Sequence, residues 1–183
     1  MKYRIVTSAT SLPVSIADMK SHLRVQSYSD HDAMIESYIK SETATIEKRC
    51  NLAIMPQTWD VFLDYTEVAE YLELFKFPMT SITSIKYYDT DNEEQTVDAG
   101  DYTTIITGRP TQIIFDDVPS VYERSDAMTI RFVAGFTNLE EINDIILAIK
   151  QRVFKIYNNP GDFVEEKLSY FDKVIRDYRV YEE

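Results

Sequence analysis

The chain has 183 residues, 44% of them hydrophobic, which is enough for one domain, or one domain carrying an insertion, with a real core. Four glycines and six prolines exclude a disordered or low-complexity chain. A formal net charge of −12 excludes a free, high-affinity nucleic-acid binder, which needs a basic footprint to displace counterions from phosphates. Its plainest consequence is solubility.

Ser15 is a good helix N-cap, and Asp18 follows three residues on, where an acid suits the helix N-terminus. Ile16, Met19 and Leu23 then recur at helical spacing, so a first helix is predicted over Ser15–Arg24. Isolated helices below about 12–15 residues are marginal in water, so its apolar stripe must dock. The partner is the next helix, predicted over Asp32–Cys50, with Asp30 or Asp32 as cap and Asn51 at the C-terminus. Its stripe is Met34, Ile35, Tyr38, Ile39 and Ile46. Cys50 is the sole cysteine, so no internal disulfide forms. A reducing compartment and a buried, inert thiol are expected.

After Asn51 the period changes from helical to alternating. In "QTWDVFLDY", Trp59, Val61, Leu63 and Tyr65 share one face, and Asp60, Phe62 and Asp64 the other. "EYLELFKFP", "ITSIKYYD", "DYTTIIT", "QIIFDD" and "AMTIRFVAGF" add five more predicted strands, with "DTDNEEQ" as a polar hairpin turn. Pro78, Pro110 and Pro119 fall between the runs, where a missing N–H does least harm. Thirteen tyrosines suit β-structure and interfaces, since Tyr buries a ring while its hydroxyl stays hydrogen-bonded.

Helical spacing returns in "NDIILAIKQRVFKIYNNPG", where Ile142, Ile145, Ile146, Ile149, Val153 and Tyr157 form one stripe. The last segment, "DFVEEKLSYFDKVIRDYRVYEE", has a narrow apolar seam through Val164, Leu168, Phe171, Ile175 and Tyr178. On spacing alone that seam closes its own domain or docks on a partner. The fold expected is α+β. An N-terminal helical hairpin (1–52) and C-terminal helices (138–183) form one helical layer or bundle. An antiparallel β-rich lobe of about six strands (53–137) is inserted between them.

Residues with catalytic chemistry do not converge. Only His22 and His31 are present, with no HExxH or CxxC pattern, and the four glycines make no phosphate loop. The adjacent acid pairs, Glu93–Glu94, Asp116–Asp117, Glu140–Glu141 and Glu165–Glu166, point in different directions on a regular element, so they read as solvated turns or helix starts. No catalytic, cofactor-binding or metal residue is assigned and no cofactor is expected. No run of 18 apolar residues occurs, and "MKYRIVTSATS" lacks the apolar core of a secretory signal, so a soluble protein made and kept inside the cell is expected.

Seven stretches, in order, resemble the head–tail connector, or adaptor, proteins of tailed bacteriophages. They are "PVSIADMKSHLRV", "HDAMIESYIKSETATIEKRCN", "QTW" at Gln57–Trp59, "FPMTSITSIKYYDTDNEEQTV", "DYTTI", "IRFVAGF" and "INDIILAIKQRVFKIYNNPGD". Each is unspecific alone; their order and spacing carry the resemblance, over about Leu12–Asn159. The chain departs from the family pattern at Met79–Thr80, where a proline is usual, at Asn92–Glu93, where a turn glycine is usual, and at Asn158–Asn159, where an arginine is common.

The resemblance implies a non-enzymatic structural protein of the virion neck, present in the host cytoplasm during assembly. It implies a closed ring, dodecameric like family portals, that sits beneath the portal protein and extends the DNA channel. The ring meets a stopper or tail-completion protein below, and double-stranded DNA passes through without sequence-specific binding, past an acidic lumen that does not hold it. The alternative role is itself a neck stopper, tail-completion or accessory DNA-packaging protein; an enzyme with an unrecognised site is the remaining class. No membrane is involved. Phe163, Leu168, Phe171, Ile175 and Tyr178 are the candidate docking residues for the portal or a neighbouring copy.

Overall fold

Each of two structural units in this chain is made from stretches far apart in sequence. The computed structural model describes residues 1–159, 161 and 169–179. Within them, Thr10–Met55 and Phe136–Arg179 form a helical unit, and Met1–Ala9 and Pro56–Gly135 form a β unit. The helices expected at both ends of the chain therefore share one unit, with antiparallel strands inserted.

The helical unit holds α1 (Ile16–Leu23), α2 (Asp32–Cys50), α3 (Asn143–Asn158) and α4 (Tyr170–Tyr178). Helix α1 begins where Ser15 Oγ accepts the Asp18 amide at 3.1 Å. It ends at Arg24, whose φ of 61° stops the helical hydrogen-bond ladder. Met19 and Leu23 are buried, as is Val14 just before the cap. Neither Asp30 nor Asp32 caps α2 as expected. A turn of 3-10 helix over Ser29–His31 leads into it without a side-chain cap. Asp32 instead lies in the first turn and pairs with Lys20 Nζ at 2.8 Å, tying α2 to α1. Asn51 closes α2 with φ 55°, a left-handed conformation that Asn tolerates.

The buried seam of α2 is Ile35, Ile39, Glu42, Ile46 and Cys50. Met34, expected in it, is 38% exposed. Glu42 enters the seam because α3 supplies a cation: Arg152 Nε donates to Glu42 Oε2 at 2.9 Å, with the two side chains only 13% and 6% exposed. Ile145, Ala148, Ile149 and Val153 bury the inner face of α3, and Lys150 reaches Asp18 of α1 at 2.7 Å.

The β unit holds β1 (Lys2–Thr7), β2 (Gln57–Leu63), β3 (Tyr71–Leu74), β4 (Met79–Tyr88), β5 (Glu94–Thr96), β6 (Tyr102–Ile105), β7 (Thr111–Phe115) and β8 (Met128–Ala134). They form a five-stranded sheet of order β1-β2-β8-β4-β5 and a three-stranded sheet of order β3-β7-β6, with every neighbouring pair antiparallel. Two strands go beyond the six expected. β5 is the return arm of the "DTDNEEQ" hairpin, in which Asn92 adopts φ 63°. β1 comes from the first residues of the chain, which therefore belong to the β unit rather than to the N-terminal helical hairpin. The physical reason is register: Lys2–Ile5 pairs residue for residue with Trp59–Phe62, a match between stretches more than fifty residues apart.

The alternation read from Trp59 to Leu63 carries across the sheet. Val61, Ile130 and Ile85 lie opposite one another, all fully buried, while Phe132 stands beside Trp59. On the smaller sheet Leu72 and Leu74 of β3 face the same way as Ile113 of β7. Gly135, at φ 139°, ends β8 in a conformation that L side chains rarely adopt, and its amide reaches the Pro78 carbonyl at 2.8 Å.

The buried pair in the helical unit makes a clear prediction. Arg152→Ala leaves Glu42 buried without its cation and lowers stability by about 3–5 kcal/mol. The double change Glu42→Leu with Arg152→Leu removes both charges and recovers most of that loss. Urea denaturation followed by helical circular dichroism checks both.

Candidate functional site

The expected docking seam divides. Phe163 and Leu168 lie outside the described residues. Phe171 and Ile175 are 3% and 9% exposed and sit inside their own unit, and Tyr178 is half-buried. The Phe171 ring lies 4.8 Å from the Arg152 guanidinium and 5.9 Å from that of Arg49. The Tyr178 hydroxyl donates to Asp144 Oδ1 at 3.0 Å. α4 starts with a capping box: Ser169 Oγ accepts the Asp172 amide, while Asp172 Oδ2 accepts the Ser169 amide at 3.0 Å and its hydroxyl at 2.6 Å. Those bonds, the Ser169 hydroxyl first, hold the Asp172 carboxyl below the usual carboxylate range. The outward side of α4 carries Tyr170, Lys173 and Arg176.

The other titratable candidates have structural partners. His31 Nδ1 meets the Tyr157 hydroxyl, and its ring stacks on Tyr28. His22 is exposed, with its ring at an edge to Phe154, 6.0 Å between centroids. Cys50 is fully buried and its Sγ reaches the Ile175 carbonyl at 3.6 Å. Burial pushes its thiol up to about 11, which removes thiolate reactivity at neutral pH. Among the described residues no group of three or more His, Cys, Asp or Glu could hold a metal ion. No described helix is long and apolar enough to cross a membrane.

One polar arrangement escaped the sequence reading: the outward face of the five-stranded sheet. Arg4, Asp60, Arg131 and Ser84 stand side by side across β1, β2, β8 and β4. Asp60 is 1% exposed because two guanidiniums cover it. Arg131 binds it through Nε at 2.7 Å and Nη2 at 2.9 Å, and Arg4 through Nη2 at 2.8 Å. The Arg4 guanidinium also lies 4.7 Å from the Phe62 ring centroid. The Arg131 hydrogen bond is the chief cause that holds the Asp60 carboxyl below the usual range. In the next row Lys86 Nζ meets Glu94 at 2.6 Å. The signal in the sequence was the odd-parity charge at Asp60 and Arg131. Without the cross-strand register, nothing joined them.

A family model for head completion proteins matches residues 14–155. No curated protein sequence matches the chain. Among solved structures, a chain in the neck of an empty gene transfer agent particle, computed with sixfold symmetry, superposes with a TM-score of 0.83 at 20% identity. That match covers 100% of this chain and 97% of the other. A chain in the virion of a native gene transfer agent particle gives 0.80 at 20% identity, with the same coverage. A chain in the neck of a native particle, computed with twelvefold symmetry, gives 0.79 at 21% identity, again with the same coverage. At these identities the likeness establishes a shared fold.

Asp60 sets an acid limit on the β unit. Its folded-state pKa is depressed, so its contribution is fully present above the unfolded carboxylate value of about 3.9 and is lost as pH falls through the folded value. Wild-type stability, read from the fluorescence of the single tryptophan, Trp59, in urea, is expected to fall below about pH 4. In Asp60→Asn that acid-dependent loss is smaller. In Arg131→Ala it is also smaller and is complete at higher pH, because the carboxylate has lost its strongest partner and its folded value rises toward the unfolded one.

Proposed function

The chain belongs to the head completion protein family, and from that premise we propose that it is a structural component of the virion neck, a head–tail connector. Copies form a ring beneath the portal protein, extend the DNA channel and receive a stopper or tail-completion protein on the other side. The observation that carries this reading is the match of the family model over residues 14–155. The whole-chain likeness to chains from gene transfer agent necks supports it. The sixfold and twelvefold symmetry of those necks supports a multi-copy ring, and we take the copy number as twelve. Such a role needs shape, stability and contact surfaces; it needs no cofactor and no catalytic residue.

Rings of this kind place a different face of each subunit against its neighbour, a heterologous contact that closes. The net charge of −12 suits a channel through which DNA slides, since an acidic wall repels phosphate. Docking on the portal or a neighbour falls to the C-terminal segment. Phe171, Ile175 and Tyr178 anchor α4 within its own unit, so its partner meets the outward Tyr170, Lys173 and Arg176, together with Phe163 and Leu168.

Co-purification with a portal protein, followed by imaging of the complex, tests the reading: twelve copies at the portal vertex are expected, and a chain found only on a tail protein overturns it. Phe171→Asp is expected to unfold the helical unit, a loss of at least 3–5 kcal/mol by comparison with Phe→Ala changes in cores. Lys173→Glu with Arg176→Glu is expected to keep the fold and weaken portal binding, as circular dichroism and pull-down would report. The purified chain is expected to show no salt-sensitive binding of duplex DNA.

A further inference from the structure

The β unit carries two patches of opposite sign, and they lie on different faces. The outward face of the five-stranded sheet presents Lys2, Arg4, Lys86 and Arg131 against three carboxylates, Asp60, Glu94 and Asp126. That excess is positive within a chain of net charge −12. A cavity of about 260 Å³ opens among Arg4, Arg131, Lys86 and Tyr88. Its two arginines are fixed by a carboxylate that is itself almost wholly buried, yet their side chains stay 63% and 42% exposed. A guanidinium has five N–H donors. Asp60 takes two from Arg131 and one from Arg4. The remaining donors are held in place, ready for further carboxylates.

The second patch lies beyond the β5 edge, where the β5–β6 connection meets the end of β7. Asp98, Asp101, Asp116 and Asp117 line a cavity of about 370 Å³ beside Tyr87 and Pro119, and no cation lines it. All four are exposed. Backbone bonds set their spacing: the Asp101 amide reaches the Asp98 carbonyl at 3.0 Å, and the Asp116 amide reaches the Asp101 carbonyl at 2.9 Å. None of the four forms an ion pair among the described residues. Clustered acids at this density repel one another and gain from an outside cation.

We infer that these patches are the two halves of one contact between copies, in which the aspartate cluster of one chain seats on the arginine-bearing sheet face of the next. The inference rests on the ring proposed above. Three arguments converge on a second copy as occupant. Neighbours that each carry −12 must place unlike charge where they touch. A rotational repeat joins two different patches of the same chain, and these differ in both position and sign. The sheet-face guanidiniums match carboxylates in geometry, forming paired N–H···O bonds.

The test uses full-length chain in purified particles. A benzophenone amino acid at position 84, at the β4 end of the basic row, is expected to cross-link to residues 98–117 of a second copy. Cross-links that land on DNA, on a different protein or only elsewhere on the chain overturn the inference. Lys86→Glu and Asp116→Lys are each expected to lower the number of copies per particle about tenfold, and together to restore it to within about twofold. A double variant no better than either single one, with folding intact by circular dichroism, also overturns it. If the wild-type chain is itself absent from particles, the connector reading fails instead, which separates the two.

Discussion

The ion pair between Glu42 and Arg152 joins two halves of a helical unit that the chain separates by a whole inserted β unit. α2 lies before the insertion, and α3 and α4 after it. Apolar seams alone bring such helices together in several rotations. A buried carboxylate that must meet a buried guanidinium permits far fewer, because each charge left unpaired carries a large desolvation penalty. Arg152 then extends the constraint to α4, since its guanidinium lies over the ring of Phe171. Cys50 completes the junction, with its thiol at the Ile175 carbonyl.

The β unit solves a similar problem with a similar device. β1 reaches the sheet from the start of the chain, and the helices α1 and α2 intervene before β2. Closing that long loop costs conformational entropy, although the cost grows only slowly with length. Seven strand residues of β2 pair with β8 and five of them also with β1, so this interior strand is held on both sides. Asp60, on that interior strand, gathers a guanidinium from each neighbour. Each unit thus has one acidic residue placed where an arginine from a distant stretch must find it.

This arrangement has a mechanical consequence. Both units are closed by residues remote in sequence, so each resists local fraying better than a unit closed by adjacent hairpins alone. The outer surfaces are left to carry contacts. The sheet face, the aspartate cluster and the outward side of α4 are three outer surfaces, and all are polar at their centres. Charged surfaces of this kind steer association without the general stickiness of apolar patches.

Much of this was legible in the residues. Ser15 and Asn51 marked helix ends by their capping chemistry, and Ile145, Ile149 and Val153 marked the buried face of α3 by their spacing. The alternation from Trp59 to Leu63 gave the parity of β2, and the ordered motifs pointed to the family. What spacing could not supply was the partner of each face. The seam of Phe171, Ile175 and Tyr178 looks the same whether it meets its own unit or another protein, because a periodic stripe records only that something covers it. Lys2–Thr7 became a strand, and Asp60 a buried charge, only through register with stretches far along the chain. Local chemistry along the sequence therefore determined where elements begin, end and turn their apolar sides. Tertiary structure decided which charges meet, since ion-pair geometry depends on positions in space that no single stretch of chain encodes.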